Sequence, residues 1–144
     1  MKFAGQKTVD RAPEELWGLL LDVEVLKGCI PGCQALDASG LHRYHLVLKV
    51  GLGPVRGRFH AEVALSDVVE RESCRLELRA KGFPGSIEGA ALVRFLRLDA
   101  EHRTEVAYDG DAHVHGLLRA LGPKFWEDAV HAFADHFLGE LSRR

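Results

Sequence analysis

The chain has 144 residues, a formal net charge of -2 at pH 7, and acidic and basic residues interspersed along its length. A chain of this length forms a single domain, 1–144, that buries roughly two thirds of its unfolded surface without disulfides or metals. The charge balance excludes the basic stripe that nucleic-acid binding requires, so we expect no nucleic-acid partner. No apolar run reaches the roughly 18 residues of a membrane span, and the N-terminus lacks the apolar segment of a signal peptide. We therefore expect a cytoplasmic protein with no transmembrane segment.

The chain has 3 cysteines, and an odd number without a secretory signal indicates a reducing compartment and no disulfide framework. Cys29 and Cys33 are spaced one residue wider than a redox Cys-x-x-Cys pair, and Pro31-Gly32 breaks any helix that would align their thiols. No second pair completes a tetrahedral metal site. We expect a structural role for the cysteines and no bound metal.

The N-terminal third predicts one strand followed by two short helices. Residues 3–9 alternate as a strand does. Pro13 with two glutamates after it suits the first turn of a helix, where proline is tolerated and acidic groups complement the helix dipole. Asp22 is placed to cap a second helix over 23–27, which Gly28 ends.

Six further strands are predicted by alternating apolar and polar residues, at 34–38, 41–50, 55–68, 73–80, 86–98 and 104–115. Turn residues separate them at 39–40, 51–54, 70–72, 82–85 and 99–103. One face of these strands is charged, which is typical of an antiparallel sheet with one face in solvent. The short connections predict a meander.

The apolar face of the strands mixes bulky residues with very small ones. Its members include Val55, Gly57, Phe59, Ala61, Val63 and Leu65, then Ile87, Gly89, Ala91, Val93 and Phe95, then Thr104, Val106, Tyr108, Gly110, Ala112 and Val114. Protein interiors pack densely and unfilled holes are destabilising, so these small residues need an explanation. Either helices approach closely there or a ligand fills the space.

From residue 117 to 141 the apolar period changes to 3.6 and predicts one long amphipathic helix that covers the sheet. Gly122-Pro123 predicts a kink in it, with 117–121 as a separately angled first turn. Polar side chains that include His131 and Asp135 fall on the arc predicted to face solvent.

A pocket between the sheet and this helix would be mostly apolar with two tyrosine hydroxyls, as small-molecule sites usually are. Its predicted sheet residues are Tyr44, Leu46, Leu48, Phe59, Ile87, Phe95 and Tyr108. Its predicted helix residues are Leu118, Leu121, Phe125, Ala129 and Phe133, and its mouth would lie near Trp17, Ile30, Phe83 and Leu117. Each residue taken alone also suits an ordinary core.

Candidates for chemistry are few. His113 and His115 share one side of a strand with Asp109 and Asp111, but this is the solvent face and no third convergent metal ligand can be named. The sequence has no nucleophile elbow, phosphate-binding glycine loop or His-Glu-x-x-His motif. We therefore expect no catalytic residues, no metal and no cofactor.

One strand, two short helices, six strands and a long C-terminal helix is the element order of the α+β helix-grip fold, a curved antiparallel sheet of about seven strands wrapped around the last helix. The sequence resembles the START-like (SRPBCC) superfamily and, within it, the G-subunit family of carbon monoxide dehydrogenase. The resemblance rests on Phe3-Ala4-Gly5, Ala12-Pro13-Glu14-Glu15-Leu16-Trp17, Leu26, Cys29-Ile30-Pro31-Gly32-Cys33, Gly53-Pro54-Val55, Gly57, Phe59, Lys81-Gly82, Gly89, Thr104 through Tyr108, Gly116 and Leu121-Gly122.

The resemblance implies a non-catalytic protein that binds an apolar small molecule, a lipid or a quinone, in the cavity under the last helix. Family members serve molybdenum hydroxylases of the carbon monoxide dehydrogenase type as accessory proteins, in membrane recruitment or in connection to quinone. We therefore expect a molybdenum hydroxylase as partner and peripheral contact with the inner membrane face. Many members carry an apolar C-terminal anchor where this sequence ends in Leu141-Ser142-Arg143-Arg144, so autonomous anchoring is not expected.

Two other functions stay open. A small START-like enzyme, a cyclase or a hydrolase, would use the same pocket, and a buried titratable group beside Tyr44 or Tyr108 would favour it. A structural partner without a ligand would show a collapsed pocket beside an exposed apolar patch.

Overall fold

The computed structural model describes residues 1–98 and 102–144. Its elements, in chain order, are β1 (Lys2–Val9), α1 (Pro13–Leu20), α2 (Val23–Cys29), β2 (Cys33–Gly40), β3 (Arg43–Leu52), β4 (Val55–Val69), β5 (Ser73–Gly82), β6 (Gly85–Arg97), β7 (Thr104–Gly116), a 3-10 helix (Leu117–Leu121) and α3 (Pro123–Ser142). The predicted strands agree at each end to within two residues. Residues 99–101 of the turn predicted at 99–103 lie outside the described residues.

The seven strands form one antiparallel sheet in the order β1-β7-β6-β5-β4-β3-β2. Strands β2 to β7 are a meander, and β1 pairs with β7 at the edge. The curved sheet encloses α3 on its concave face, and α1 and α2 follow β1. These features confirm the predicted α+β helix-grip fold.

Alternation places the charged residues outside and the apolar ones inside, as predicted. On β5, Glu77 and Arg79 are exposed, whereas Leu76 and Leu78 between them are half-buried and Ala80 is buried. An antiparallel sheet with one covered face produces this period of two.

One turn was predicted two residues too early. The β2–β3 turn lies at Leu41 and His42, because Ser39 and Gly40 continue β2. His42 has a φ of 59°, so it takes the left-handed conformation that the turn requires.

Both short helices begin where the sequence predicts. Pro13 is the first residue of α1, after an extended Ala12. The Asp22 carboxylate accepts hydrogen bonds from the backbone N–H groups of Glu24 at 3.0 Å and Val25 at 3.3 Å, which caps α2.

The predicted end of the second helix is wrong. The helix continues through Gly28 to Cys29 and stops at Ile30, whose φ of -80° and ψ of 120° are extended. Pro31 explains this end, because the ring of a proline disfavours the helical conformation in the residue before it.

The C-terminal segment consists of two helices, so the prediction of one continuous helix over 117–141 is wrong. Residues 117–121 do form a separate turn, as predicted, but Gly122 follows with a φ of 86° and Pro123 begins α3. Proline is favoured at the first helical position because the helix needs no N–H there. The Trp126 indole N–H donates to the Leu118 carbonyl at 2.9 Å and holds the 3-10 helix against α3.

Within residues 1–98 and 102–144, the buried apolar side chains form three clusters. The α1 cluster joins α1 to the C-terminal half of α3, and its buried members are Val9, Leu16, Trp17, Cys29, Phe95, Val106, Leu138 and Leu141. The α2 cluster lies under α2 and contains Leu26, Leu36, Leu46, Ala61 and Ala80. The 3-10 cluster lies at the N-terminal end of α3 and contains Val55, Phe59, Leu118 and Trp126.

Candidate ligand-binding site

Six small residues run diagonally across the middle of the concave sheet face. In the sheet register, Gly110 of β7 pairs with Ala91 of β6, Ala112 with Gly89, and Ala80 of β5 with Ala61 of β4. All four alanines are buried. We call this set the small-residue floor: Ala61, Ala80, Gly89, Ala91, Gly110 and Ala112.

Close packing accounts for the two glycines of the floor. A Cβ on Gly110 would lie 2.7 Å from Cζ of Phe3, whose ring covers it from β1. A Cβ on Gly89 would lie 2.8 Å from the Asp111 carbonyl oxygen of β7. Both distances are too short for a side chain, so these glycines permit close approach in a curved sheet and do not by themselves indicate a cavity.

The alanines at the centre of the floor have a different environment. Ala61 and Ala80 belong to the α2 cluster, whereas Ala91 and Ala112 are 9% and 7% exposed and belong to none of the three clusters described above. The α1 and 3-10 clusters hold the two ends of α3. The centre of the floor therefore faces the region between the clusters, beneath the middle of α3.

The middle of α3 presents an aromatic pair. The Phe133 and Phe137 rings stack with centroids 6.0 Å apart and an interplanar angle of 14°. Phe137 packs against both the α1 and α2 clusters, whereas Phe133 is 46% exposed. Phe133 is thus more exposed than Val130 and Phe137, which are half-buried on the same helix.

The sixteen predicted pocket residues fall into three groups by burial. Buried are Trp17, Leu46, Phe59, Phe95 and Leu118. Half-buried are Ile30, Tyr44, Leu48, Ile87, Tyr108, Leu121, Phe125 and Ala129. Exposed are Phe83, Leu117 and Phe133.

Trp17, predicted near the pocket mouth, is a buried core residue. It packs edge-on against Phe95, with ring centroids 5.9 Å apart, inside the α1 cluster. The indole is the largest apolar surface of α1 and is buried where that helix meets the sheet. Contact of the predicted residues with a ligand stays a prediction.

Two polar pairs lie between α3 and the β1–β7 edge. The Tyr108 hydroxyl is 2.8 Å from Nδ1 of His131, and Lys7 Nζ is 3.9 Å from an Asp135 carboxylate oxygen. Burial raises the pKa of the Tyr108 hydroxyl above its usual value, and the Asp135 carboxylate raises it further. Tyr108 is therefore neutral at physiological pH.

The helical periodicity predicts that His131 and Asp135 face solvent, which is only partly right. β1 and β7 extend beneath that side of α3 and supply their partners, Lys7 and Tyr108. Lys7 is the signal that could have indicated this. Its alternation with Phe3 and Val9 puts it on the concave face of β1, where an acidic side chain of the covering helix would be a favourable neighbour.

The remaining candidate groups are unreactive or exposed. Burial raises the pKa of the Cys33 and Cys74 thiols, so both stay protonated at neutral pH. His115 is 3.3 Å from a Glu88 carboxylate oxygen and both are exposed. Within residues 1–98 and 102–144, no group of three or more His, Cys, Asp or Glu side chains is placed to hold a metal ion.

Comparison with known proteins decides the family. The sequence model for CoxG, the G subunit of carbon monoxide dehydrogenase, matches residues 5–144. The chain belongs to the CoxG family. No curated protein sequence matches it.

Solved structures similar to this CoxG family member share its fold. A conserved protein from Geobacillus kaustophilus is 23% identical with a TM-score of 0.94, and the match covers 99% of this chain and 93% of that one. A START superfamily protein from Mycobacterium smegmatis is 13% identical with a TM-score of 0.75 over 99% of this chain and 95% of that one. The fold is therefore START-like. Among the described residues of the CoxG protein, no helix is long and apolar enough to cross a membrane.

Proposed function

We propose that this CoxG protein is a non-catalytic carrier of an apolar small molecule, a lipid or a quinone, held between the concave sheet face and α3. The observation that carries the proposal is the small-residue floor, whose central Ala91 and Ala112 are buried but belong to none of the three core clusters. Small buried side chains between separate clusters are what a ligand site under the helix would require.

The side chains around this region support an apolar ligand with one polar end. Leu78, Ile87 and Phe125 are half-buried and apolar. At the β7 side, the Tyr108 hydroxyl can both donate and accept hydrogen bonds and makes one contact, to His131. A quinone carbonyl or a lipid head group is the kind of group that such a hydroxyl would bind.

The polar groups also support a carrier over an enzyme. In the described part of the chain, no fully buried side-chain nitrogen or oxygen lacks a hydrogen-bond partner, so the core holds no unpaired acid or base. A START-like cyclase or hydrolase is the second candidate, because Tyr108 and His131 form a titratable pair at 2.8 Å. That enzyme would lose its turnover in Tyr108→Phe, whereas a carrier would lose one hydrogen bond to its ligand and still bind the apolar part.

Membership in a family named for carbon monoxide dehydrogenase supports the proposed partner. We infer that the protein serves a molybdenum hydroxylase of this type as an accessory protein. We place it in the cytoplasm, in peripheral contact with the inner membrane face, where lipids and quinones are available.

Native purification followed by solvent extraction and mass spectrometry tests the carrier function. We expect a lipid or quinone in stoichiometric amount, and a higher melting temperature when quinone is returned to the extracted protein. An empty extract, together with no stabilisation by added quinones or lipids, would refute the carrier function.

A further inference from the structure

Two large apolar side chains are exposed at one end of the sheet. Phe83, in the β5–β6 turn, is 87% exposed, and Leu117, at the start of the 3-10 helix, is 70% exposed. The Leu117 N–H donates to the Pro84 carbonyl at 3.1 Å, which holds these two segments together. Leu52, at the β3–β4 turn, is 39% exposed. We call Leu52, Phe83 and Leu117 the apolar tip.

The antiparallel order places the whole apolar tip at one end of the molecule. The β3–β4 turn, the β5–β6 turn and the end of β7 lie at the same end of the sheet, and the β2–β3 and β4–β5 turns lie at the opposite end. Leu41, in the β2–β3 turn, lies at that opposite end and is 86% exposed. It therefore matches Phe83 in exposure but not in position.

The charge around the apolar tip differs from that of the rest of the chain. Residues 51–58, 81–86 and 116–124 contain no aspartate or glutamate, although the whole chain has a net charge of -2. Their basic residues are Arg56, Arg58, Lys81, Arg119 and Lys124. The charged residues of these three segments are therefore all basic, and one of them, Lys124, pairs with Asp128 of α3 at 3.3 Å.

We propose that the apolar tip docks on a lipid bilayer with anionic head groups. Exposed apolar side chains on turns insert into the boundary between head groups and acyl chains, and lysine or arginine beside them binds anionic lipids. The proposal rests on the peripheral membrane contact proposed above and assigns it a surface. The 3-10 cluster lies directly behind the apolar tip, so docking brings the N-terminal end of α3 to the bilayer.

Vesicle flotation of the full chain tests this docking surface. The probes are vesicles of phosphatidylcholine and vesicles that also contain phosphatidylglycerol. We expect binding to the anionic vesicles that weakens as salt rises. Phe83→Ala should weaken vesicle binding about tenfold, because the variant lacks the large apolar side chain that inserts into the bilayer. Arg119→Gln should weaken it about fivefold.

Matched variants at the other end of the molecule are the controls. Leu41→Ala and Arg94→Gln remove an exposed leucine and an exposed arginine far from the apolar tip, and both should bind as the unaltered protein does. Thermal melting checks the fold of every variant. Equal weakening by Leu41→Ala and Phe83→Ala would overturn the proposed surface.

Mass spectrometry of extracts from the same samples separates this proposal from the carrier function. Protein that contains ligand but does not float with anionic vesicles would overturn the docking surface and leave the carrier function standing. Protein that floats with anionic vesicles but contains no ligand would overturn the carrier function and leave the docking surface standing. If Phe83→Ala leaves flotation intact and abolishes binding to the molybdenum hydroxylase, the apolar tip is a protein interface and the membrane proposal is wrong.

Discussion

Replacing Ala91 by leucine tests directly whether there is space above the small-residue floor. Ala91 is 9% exposed, so the three added carbons would be almost fully buried. At about 0.8 kcal/mol for each buried methylene, a leucine that fills an empty space would raise the free energy of unfolding by about 2 kcal/mol. In a fully packed core the same change would lower it by about 1–3 kcal/mol. For Ala91→Leu we expect a higher free energy of unfolding, together with loss of bound ligand.

The assay is urea denaturation of ligand-free protein, followed by tryptophan fluorescence, with ligand content measured by mass spectrometry. Ala61→Leu is the packing control. Ala61 is 1% exposed within the α2 cluster, so the larger side chain should lower the free energy of unfolding by about 1–3 kcal/mol. Ala90→Leu is the second control. It lies next to Ala91 on the outer face of β6 and should keep its ligand.

The sign of the stability change decides the question. If Ala91→Leu and Ala61→Leu destabilise the protein equally, and the ligand content of Ala91→Leu is unchanged, no cavity lies above Ala91. The argument for a carrier from the small-residue floor would then fail.

Three further predictions follow from single contacts. Trp126→Phe should lower the free energy of unfolding by about 1–3 kcal/mol, because the buried Leu118 carbonyl loses its donor; an unchanged urea midpoint would contradict this. Asp22→Ala should lower the free energy of unfolding by about 1 kcal/mol, because it removes the cap of α2. Asp22→Asn, which can still cap the helix, should lower it less in the same urea denaturation. In a Tyr44→Phe variant, the remaining tyrosine, Tyr108, should ionise above its ordinary pKa of 10.0 by ultraviolet absorbance, and a midpoint at or below 10.0 would refute the effect of burial. The Tyr108 hydroxyl therefore ionises at a lower pH in the unfolded chain than in the folded protein. The free energy of unfolding should fall as pH rises above 10.0.

The sheet was predictable because its signal is local. A charged outer face against an apolar inner face produces a period of two that can be read from each strand alone, as in Glu77 and Arg79 of β5. The order of strands then followed from short connections. The glycines were ambiguous for the opposite reason, because the ring that covers Gly110 comes from Phe3, more than a hundred residues earlier in the chain.

The parts that failed depend on how elements meet. Helical periodicity orders side chains around the axis of α3, but it does not say how far a curved sheet wraps around that axis, so His131 was assigned to solvent. Spacing within α1 could not show that Trp17 meets Phe95 of β6. The α3 boundary was in principle readable, because Gly122-Pro123 suits the start of a helix at least as well as a kink within one.

The pairing of β1 with β7 has a consequence for the order of folding. The first strand of the chain pairs with the last, so its contacts span nearly the whole sequence, whereas β2 to β7 pair with their immediate successors. Contacts between distant residues require closure of a long loop and slow the folding of a domain. During synthesis β1 has no strand to pair with until β7 has left the ribosome. We therefore expect the meander to assemble first and the β1 edge, with the Phe3 ring that covers Gly110 of β7, to close last.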